Sequence, residues 1–501
     1  MLTLVIFLPL AAALLLPAVP RRAVPWAWVA AGLADLALIA GMWAAHGTRG
    51  GTSYEADVRW IPSVRAGYHV GADGLSLPLL TLTALLFAAC AVYSVRRERR
   101  TRAFAMLFLF LETVCLGVFA ALDLLLFFVF FDLSIVGMYF VILVWGHGDG
   151  AARSALKFFL YTFLGSLFLL LGFIGLYLGS EPRTFDIAEL TRDPPLEDAP
   201  ALAGLTLLAL GVGLGIKTPV VPFHTWLPPA HTDAPAPGSA ILAGVMLKMG
   251  AYGLVRIAMP MLPGAWHRYA PAVLVVGLVS VLYGALVALA QDDVKRLVAY
   301  TSVNHMGYVV LALGAAGYAD GTDGGAPASG PRLAVTGAVT QMVSHGLITG
   351  ALFLLCGVLH ARAGTHDLRR FGGVARAAPV FAGTFAAAAF ASLGLPGFSG
   401  FVAEFQIFAG TIGTGAAATA AAGALAVLGI VVTAGLFLRV LHRLLLGGPG
   451  ELTGRVGDLR RGEAAAIVPL LALSLLIGLL PGPLLDTIEP LSAAVTGWVA
   501  R

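Results

Sequence analysis

Charge is scarce in this sequence. Asp, Glu, Lys and Arg together make up 12% of its 501 residues, against about 25% in an average soluble domain. Hydrophobic residues reach 59%, so the chain has too little polar surface to enclose one water-soluble core. Cysteine is nearly absent as well: Cys90, Cys115 and Cys356 all lie in apolar runs, with no CxxC and no His/Cys pairing. That pattern argues against a disulfide framework, an iron–sulfur cluster and a structural metal. No GxGxxG follows a strand pattern and no GxxxxGK[ST] occurs, so nothing supports nucleotide binding. Nucleic acid is as remote a partner.

What the chain does have is long apolar runs. A helix rises 1.5 Å per residue and the hydrocarbon core is about 30 Å thick, so about 20 apolar residues make a span. Polar breaks leave roughly fourteen such runs, near 2–19, 25–45, 74–95, 103–121, 123–145, 155–178, 201–227, 238–258, 270–290, 297–318, 333–360, 378–412, 417–441 and 464–486. The expected fold is an all-α polytopic membrane protein. The first run, MLTLVIFLPLAAALLLPAVPRR, has its arginines after the apolar stretch and no basic residue ahead of it. It reads as a retained span, not a signal peptide.

Loop charge sets the orientation. One set of loops holds Arg21, Arg22, the run RRERRTR (96–102), Arg153, Lys157, Lys295, Arg296, Arg362, Arg369, Arg370, Arg376 and the basic residues from Arg439 to Arg461. The alternate set includes the acidic EPRTFDIAELTRDPPLED (181–198) and the Gly-rich ADGTDGGAPASG (319–330). The basic set should be cytoplasmic, with both termini outside.

Two spans are interrupted. GVGLGIKTPVVPFHTWLP (211–228) places Pro219 and Pro222 just beyond Lys217, and ASLGLPGFSGFVAEFQ (391–406) places Pro396 just before Glu404. Proline removes a donor and clashes with the preceding turn, so each helix should break there. Paired broken helices point to inverted repeats with a functional site near the midplane. Two five-helix units would fit, 103–258 and 270–445, flanked by an N-terminal part (1–102) and a C-terminal helix and tail (464–501).

The charges inside spans are few: Lys217, Lys248, Glu112, Asp132 and Glu404, with Arg256 near an end. Each costs at least ~2.5 kcal/mol at the centre of a lone helix on insertion scales, so such residues usually face a partner or water and mark an ion pathway. Asp132 has two readings: a carboxyl near a helix end that reaches interfacial water, or a titrating site governed by Lys217. A carboxyl in an apolar setting keeps its proton, and an ammonium within ~4–6 Å favours its release. Moving the lysine would therefore load or unload the aspartate. Lys217 sits where its helix unwinds and seats an amine that can swing; snorkelling is the alternative. Lys248, mid-span, has the position of a relay partner. His305 lies among Thr301 and Tyr308, and His345 shares a polar stripe with Gln341 and Thr349. Each histidine either passes protons through bound water or ties helices together by hydrogen bonds. Glu404 has either a proton-exit role or one ion-pair partner.

At these residues the chain resembles the antiporter-like membrane subunits of NADH:quinone oxidoreductase (respiratory complex I), chain M in particular. The matching stretches are VGADGLSLPLLTLT (70–83), 109–146, GIKTPVVPFHTWLPPAHTDAPAPGSAILAGVMLKMGAYGLVR (215–256), DVKRLVAYTSVNHMGY (293–308), QMVSHGLITGALFLLCG (341–357) and LGLPGFSGFVAEF (393–405). The resemblance implies fourteen helices, two inverted five-helix units with broken helices 7 and 12, and proton translocation driven by quinone reduction elsewhere in a bacterial plasma-membrane complex. It implies that Asp132 is the helix 5 carboxylate, Lys217 and Lys248 the lysines of helices 7 and 8, Glu404 the helix 12 acid, and His305 and His345 the central relay. Glu112 matches an acid common on helix 4. NADH, FMN, iron–sulfur clusters and quinone would belong to partner subunits, with L, N, K, A, J and H type chains as membrane neighbours and no cofactor or metal on this chain. Glutamate at position 404 resembles chain M, whereas chains L and N and the multisubunit cation/proton antiporters, the alternative assignment, usually have lysine there. In one respect the chain departs from the family: Asp132 stands where glutamate is usual, and Gly137 where proline is. The aspartate keeps the charge but is one methylene shorter.

Overall fold

In lipid a backbone has to satisfy its own N–H and C=O groups, so apolar runs of spanning length become helices. The computed structural model describes residues 1–48, 50–95, 100–318, 322–323, 326–327 and 329–500. Residues 96–99 of the basic run and half of the Gly-rich loop at 319–330 lie outside the described residues. In chain order come α1 (Leu2–Leu15), α2 (Val24–His46), the strands β1 (Ser53–Ile61) and β2 (Ala66–Ala72), α3 (Ser76–Ser94), α4 (Thr101–Ala120), α5 (Leu124–Trp145) and α6 (Ala151–Gly179). Then follow α7 (Pro200–Lys217), α8 (Ala236–Met261), α9 (Pro263–Leu289), α10 (Val294–Ala316) and α11 (Ser329–Ala363). The chain closes with α12 (Pro379–Ser392), α13 (Ser399–Ile412), α14 (Ala417–Leu445), α15 (Arg461–Leu479) and α16 (Gly482–Val499). Among the described residues twelve helices are long and apolar enough to cross a membrane, and α1 and α12 are shorter apolar helices. These fourteen coincide one for one with the expected runs.

The helices are not equally enclosed. α8, α10 and α11 are almost wholly buried, whereas α6, α9 and α14 leave much of their surface on the outside. Leu164, Leu171, Leu286 and Leu428 lie on that outer surface, where lipid is as good a solvent for leucine as a protein core is. Close packing depends on small residues in places. A Cβ on Gly277 of α9 would meet the Leu311 nitrogen at 2.3 Å, and one on Gly307 of α10 would meet Val281 N at 2.7 Å. Polar caps set several helix starts: Asp123 accepts from the amides of Leu125 and Leu126, and Asp293 from that of Arg296. Each satisfies donors that a first helical turn leaves free.

Both expected breaks are present. α7 stops at Lys217, and turns through Pro219 and Pro222 lead to a short helix, Leu227–Asp233. The run 378–412 is two helices, α12 and α13, with Gly394 (φ +77°), Pro396 and Gly397 (φ +103°) between them. Two features differ from expectation. The run at 464–486 ends as a helix at Leu479, and Pro481 precedes a separate helix, α16. β1 and β2 pair antiparallel in a segment with no apolar run, so the protein is not helical throughout.

That hairpin is fastened to the loop before α7. His69 on β2 meets Asp186 Oδ2 at 2.5 Å through Nδ1 and Glu55 Oε1 at 2.7 Å through Nε2. Burial alone would lower its pKa, but the hydrogen bonds and charges of Asp186 and Glu55 prevail and raise it to about 9. A raised folded-state pKa gives stability that is complete below the ordinary value of 6.5 and lost as pH rises through about 9. Limited proteolysis of the 53–72 hairpin is expected to speed up across that window, and His69→Gln should abolish the pH dependence. A cleavage rate that does not change with pH in the unaltered protein would contradict this anchoring.

Candidate functional site: a buried line of ionisable side chains

Lys217 is the last residue of α7 and is only 1% exposed. Its Nζ donates to Ser134 Oγ of α5 at 2.9 Å and sits 4.5 Å from the centre of the Phe131 ring. A hydroxyl dipole and an aromatic face thus hold the charge. The segment after the break is held firmly: Trp226 Nε1 donates to the Ile216 carbonyl at 3.0 Å, and the Val221 amide to Ser280 Oγ at 2.9 Å. Carbonyls and amides freed by the break therefore find partners in neighbouring helices.

Asp132, two residues before Ser134, is half-buried and turned toward Ser166 of α6. Its Oδ1 has no hydrogen-bond partner among the described residues. Among those residues no ion pair joins Asp132 to Lys217, although the two interact electrostatically at longer range. The lysine's hydrogen bond goes to Ser134 instead.

Lys248 is fully enclosed in α8. Two π-helical segments flank it, Leu242–Met246 and Leu254–Ala258, and such bulges often mark functional positions because they re-aim carbonyls. Lys248 Nζ donates to the Ala243 carbonyl at 2.5 Å and contacts His345 Nδ1 at 2.5 Å. With the ammonium as donor, His345 takes the tautomer protonated on Nε2, a nitrogen without a partner among the described residues. The His345 and His305 rings lie 5.5 Å apart. His305 Nδ1 is 3.1 Å from Gln341 Nε2 and 3.6 Å from Glu404 Oε1, and its Nε2 is 3.4 Å from Ser392 Oγ. A cavity of about 10 Å³ lies among His305, His345, Ser344, Ser392 and Glu404, close to the smallest volume that holds a water molecule. Groups that both give and take protons thus run from Lys248 to Glu404 in contact or one water apart.

The structure brings Lys248, His345, His305 and Glu404 into that one line and sets Lys217 with Asp132 beside α5. Glu112 belongs to neither group. It is buried in α4 with both oxygens unpartnered among the described residues. Several charges escaped the sequence reading. Asp35 is a fully buried carboxylate in α2, and its place inside an expected span was the available signal. Lys295, expected among the loop charges, is 2% exposed and donates to the carbonyls of Ala234 at 2.5 Å and Thr232 at 3.3 Å. Those carbonyls are freed where the short helix after α7 meets α8, which no sequence pattern displays. His231 is buried against Phe353 with ring centres 4.6 Å apart. Arg256 forms an ion pair with Asp73 at 2.6 Å.

A helical membrane protein whose buried lysines, histidines and acids follow broken helices has the makings of an antiporter-like ion-translocating subunit. Residues 121–429 match the family described as NADH:quinone oxidoreductase/Mrp antiporter, TM. The chain is similar to NADH-quinone oxidoreductase subunit M of Rickettsia bellii, with 39% identity over 435 residues that cover 85% of this chain and 82% of the relative. Its fold matches a chain of respiratory complex I from Thermus thermophilus with bound NADH at a TM-score of 0.88 and 30% identity, covering all of both chains. It also matches a chain of the Mrp complex from Dietzia sp. at 0.82 and 25% identity, over 98% of this chain and 52% of that one. The chain belongs to the NADH:quinone oxidoreductase/Mrp antiporter membrane-subunit family.

Glu404 is crowded on its backbone side. A Cβ on Gly394 would come 2.3 Å from Glu404 Oε2, whereas one on Gly397 would meet nothing within 4 Å. Both glycines have positive φ, a conformation that costs other residues about 1–2 kcal/mol. Gly394→Ala is therefore expected to lower the thermal unfolding temperature more than Gly397→Ala. Equal shifts would show that Glu404 is not confined there.

Proposed function

We propose that this chain is the proton-translocating antiporter-like membrane subunit of an NADH:quinone oxidoreductase. It sits in a bacterial plasma membrane among other membrane subunits, and the redox groups belong to its partners. The carrying observation is the buried line Lys248–His345–His305–Glu404, which has no evident structural use. A scaffold gains nothing from an ammonium held in its most enclosed helix, since unpaired buried charge is costly. Residues 103–258 and 270–445 act as two inverted units, the first holding Lys217 with Asp132 and the second holding His305, His345 and Glu404, with Lys248 at their junction. Both termini lie outside.

In the conformation described, Lys217 rests on Ser134, away from Asp132. A shift of the segment after the α7 break would carry the ammonium toward the aspartate, and proximity to an ammonium favours release of a carboxyl proton. Withdrawal would favour reloading. The longer route from Lys248 then passes charge by short transfers through His345, the water-sized cavity and His305 to Glu404. The likeness to the Mrp complex chain supports a second reading, a subunit of a multisubunit cation/proton antiporter. Copurification of dehydrogenase and quinone-site subunits in mild detergent separates the two.

Lys217→Ala is expected to abolish NADH-driven proton pumping in membrane vesicles while NADH oxidation by an artificial acceptor continues; normal pumping would refute the role. Asp132→Asn should behave in the same way. Asp132→Glu should retain or raise pumping, because one more methylene brings the carboxylate closer to Lys217. An inert Asp132→Asn would show that the position is not used.

A further inference from the structure

Two buried carboxylates lie outside the Lys248–Glu404 line, on the adjoining helices α2 and α4. Asp35 of α2 and Glu112 of α4 are both 0% exposed, and all four of their oxygens lack a hydrogen-bond partner among the described residues. Helical register explains why they meet. Trp28 of α2 packs edge-on against Phe104 and Phe108 of α4, with ring centres 5.9 and 5.6 Å apart. Asp35 is seven residues beyond Trp28, about two turns, and Glu112 is one turn beyond Phe108. Two helices running in the same direction therefore place the acids side by side once the aromatic contact is set, and the carboxyls interact electrostatically.

Among the described residues the surroundings offer no free compensating cation: Arg102 of α4 donates to the Val19 carbonyl, and His69 of β2, which also packs on α4, is held by Asp186 and Glu55. α1 carries no charged side chain, α3 brings Cys90 and Tyr93, and α5 brings Asp132 and Tyr139. α8, also packed on α4, brings Lys248, Tyr252 and Arg256, but these are taken up by His345, the Phe119 carbonyl and Asp73 respectively. Cys115, one turn after Glu112, interacts electrostatically with both Glu112 and Lys217. Two adjacent carboxyls in an apolar setting cannot both ionise, and the inexpensive arrangement is one proton held between them.

We propose that Asp35 and Glu112 form a proton-sharing carboxyl pair, a reserve site that exchanges protons with the Lys217 end of the pathway. The O–H bond on one carboxyl breaks as the other carboxylate, or a water leading toward Lys217, accepts the proton; no electrons move. Asp35 thereby becomes a proton-holding residue of the subunit. The idea rests on the proton-translocation reading, but part of its test does not depend on pumping.

In the intact complex, infrared spectra recorded across a pH titration should show the broadened carbonyl absorption of two carboxyls sharing one proton, which either Asp35→Asn or Glu112→Gln converts to the sharper band of a lone protonated carboxyl and only the double variant removes altogether. Each variant should also lower NADH-driven pumping several-fold, with the double variant no worse than either single one, because the two acids hold one proton. Exchanging the acids (Asp35→Glu with Glu112→Asp) should restore both the shared-proton absorption and most of the pumping. The proposal is overturned if either single variant leaves the shared-proton absorption unchanged, or if the two losses multiply. Loss of that absorption with unchanged pumping would also overturn it as a reserve site while leaving the translocation reading intact. Loss of pumping in Lys217→Ala tests that reading separately.

Discussion

An ammonium in the most enclosed helix of a membrane protein has to be held by something other than water, and the arrangement of this molecule follows from how Lys248 is held. A π-helical segment turns the Ala243 carbonyl toward Nζ, and His345 presents a ring nitrogen from α11. Neither partner is an anion, so the charge is solvated by dipoles but not neutralised. Dipolar solvation in a low-dielectric interior is strong enough to keep the group buried. It also leaves a proton that a small change in geometry can hand to the histidine. A carboxylate in direct contact would have fixed the charge in place, because leaving a buried ion pair is expensive.

The broken helices serve the same end. At the α7 break freed backbone groups find partners, the Ile216 carbonyl in Trp226 and the Val221 amide in Ser280, so the interruption survives inside the membrane. One break leaves Lys217 at a helix terminus with Ser134 as its partner. The other leaves Glu404 early in α13, with its carboxylate against Gly394. Lys217 and Asp132 are not paired in this state: the lysine donates to Ser134, and the aspartate turns toward Ser166.

Much of this was legible in the sequence. The apolar runs gave all fourteen expected segments because spanning length is a strong constraint, and prolines 219, 222 and 396 marked both breaks. Lysines 217 and 248 stood out because each lay well inside its run, with Arg256 near an end as the other charge there. What stayed hidden depended on tertiary geometry. The β1–β2 hairpin lies in a polar stretch, and His69 fastens it by reaching Asp186 and Glu55. Lys295 looked like a loop charge until the carbonyls of Thr232 and Ala234 enclosed it. Asp35 is a different case: its position in an apolar run was visible, but its meaning appears only when α2 is laid beside Glu112.

The central claim is that protons cross by way of Lys248 and its histidine neighbours. It is tested most directly by the number of protons pumped per NADH oxidised in vesicles bearing Lys248→Met in the assembled complex. The account predicts a lower ratio with NADH oxidation by an artificial acceptor intact. An unchanged ratio would contradict it.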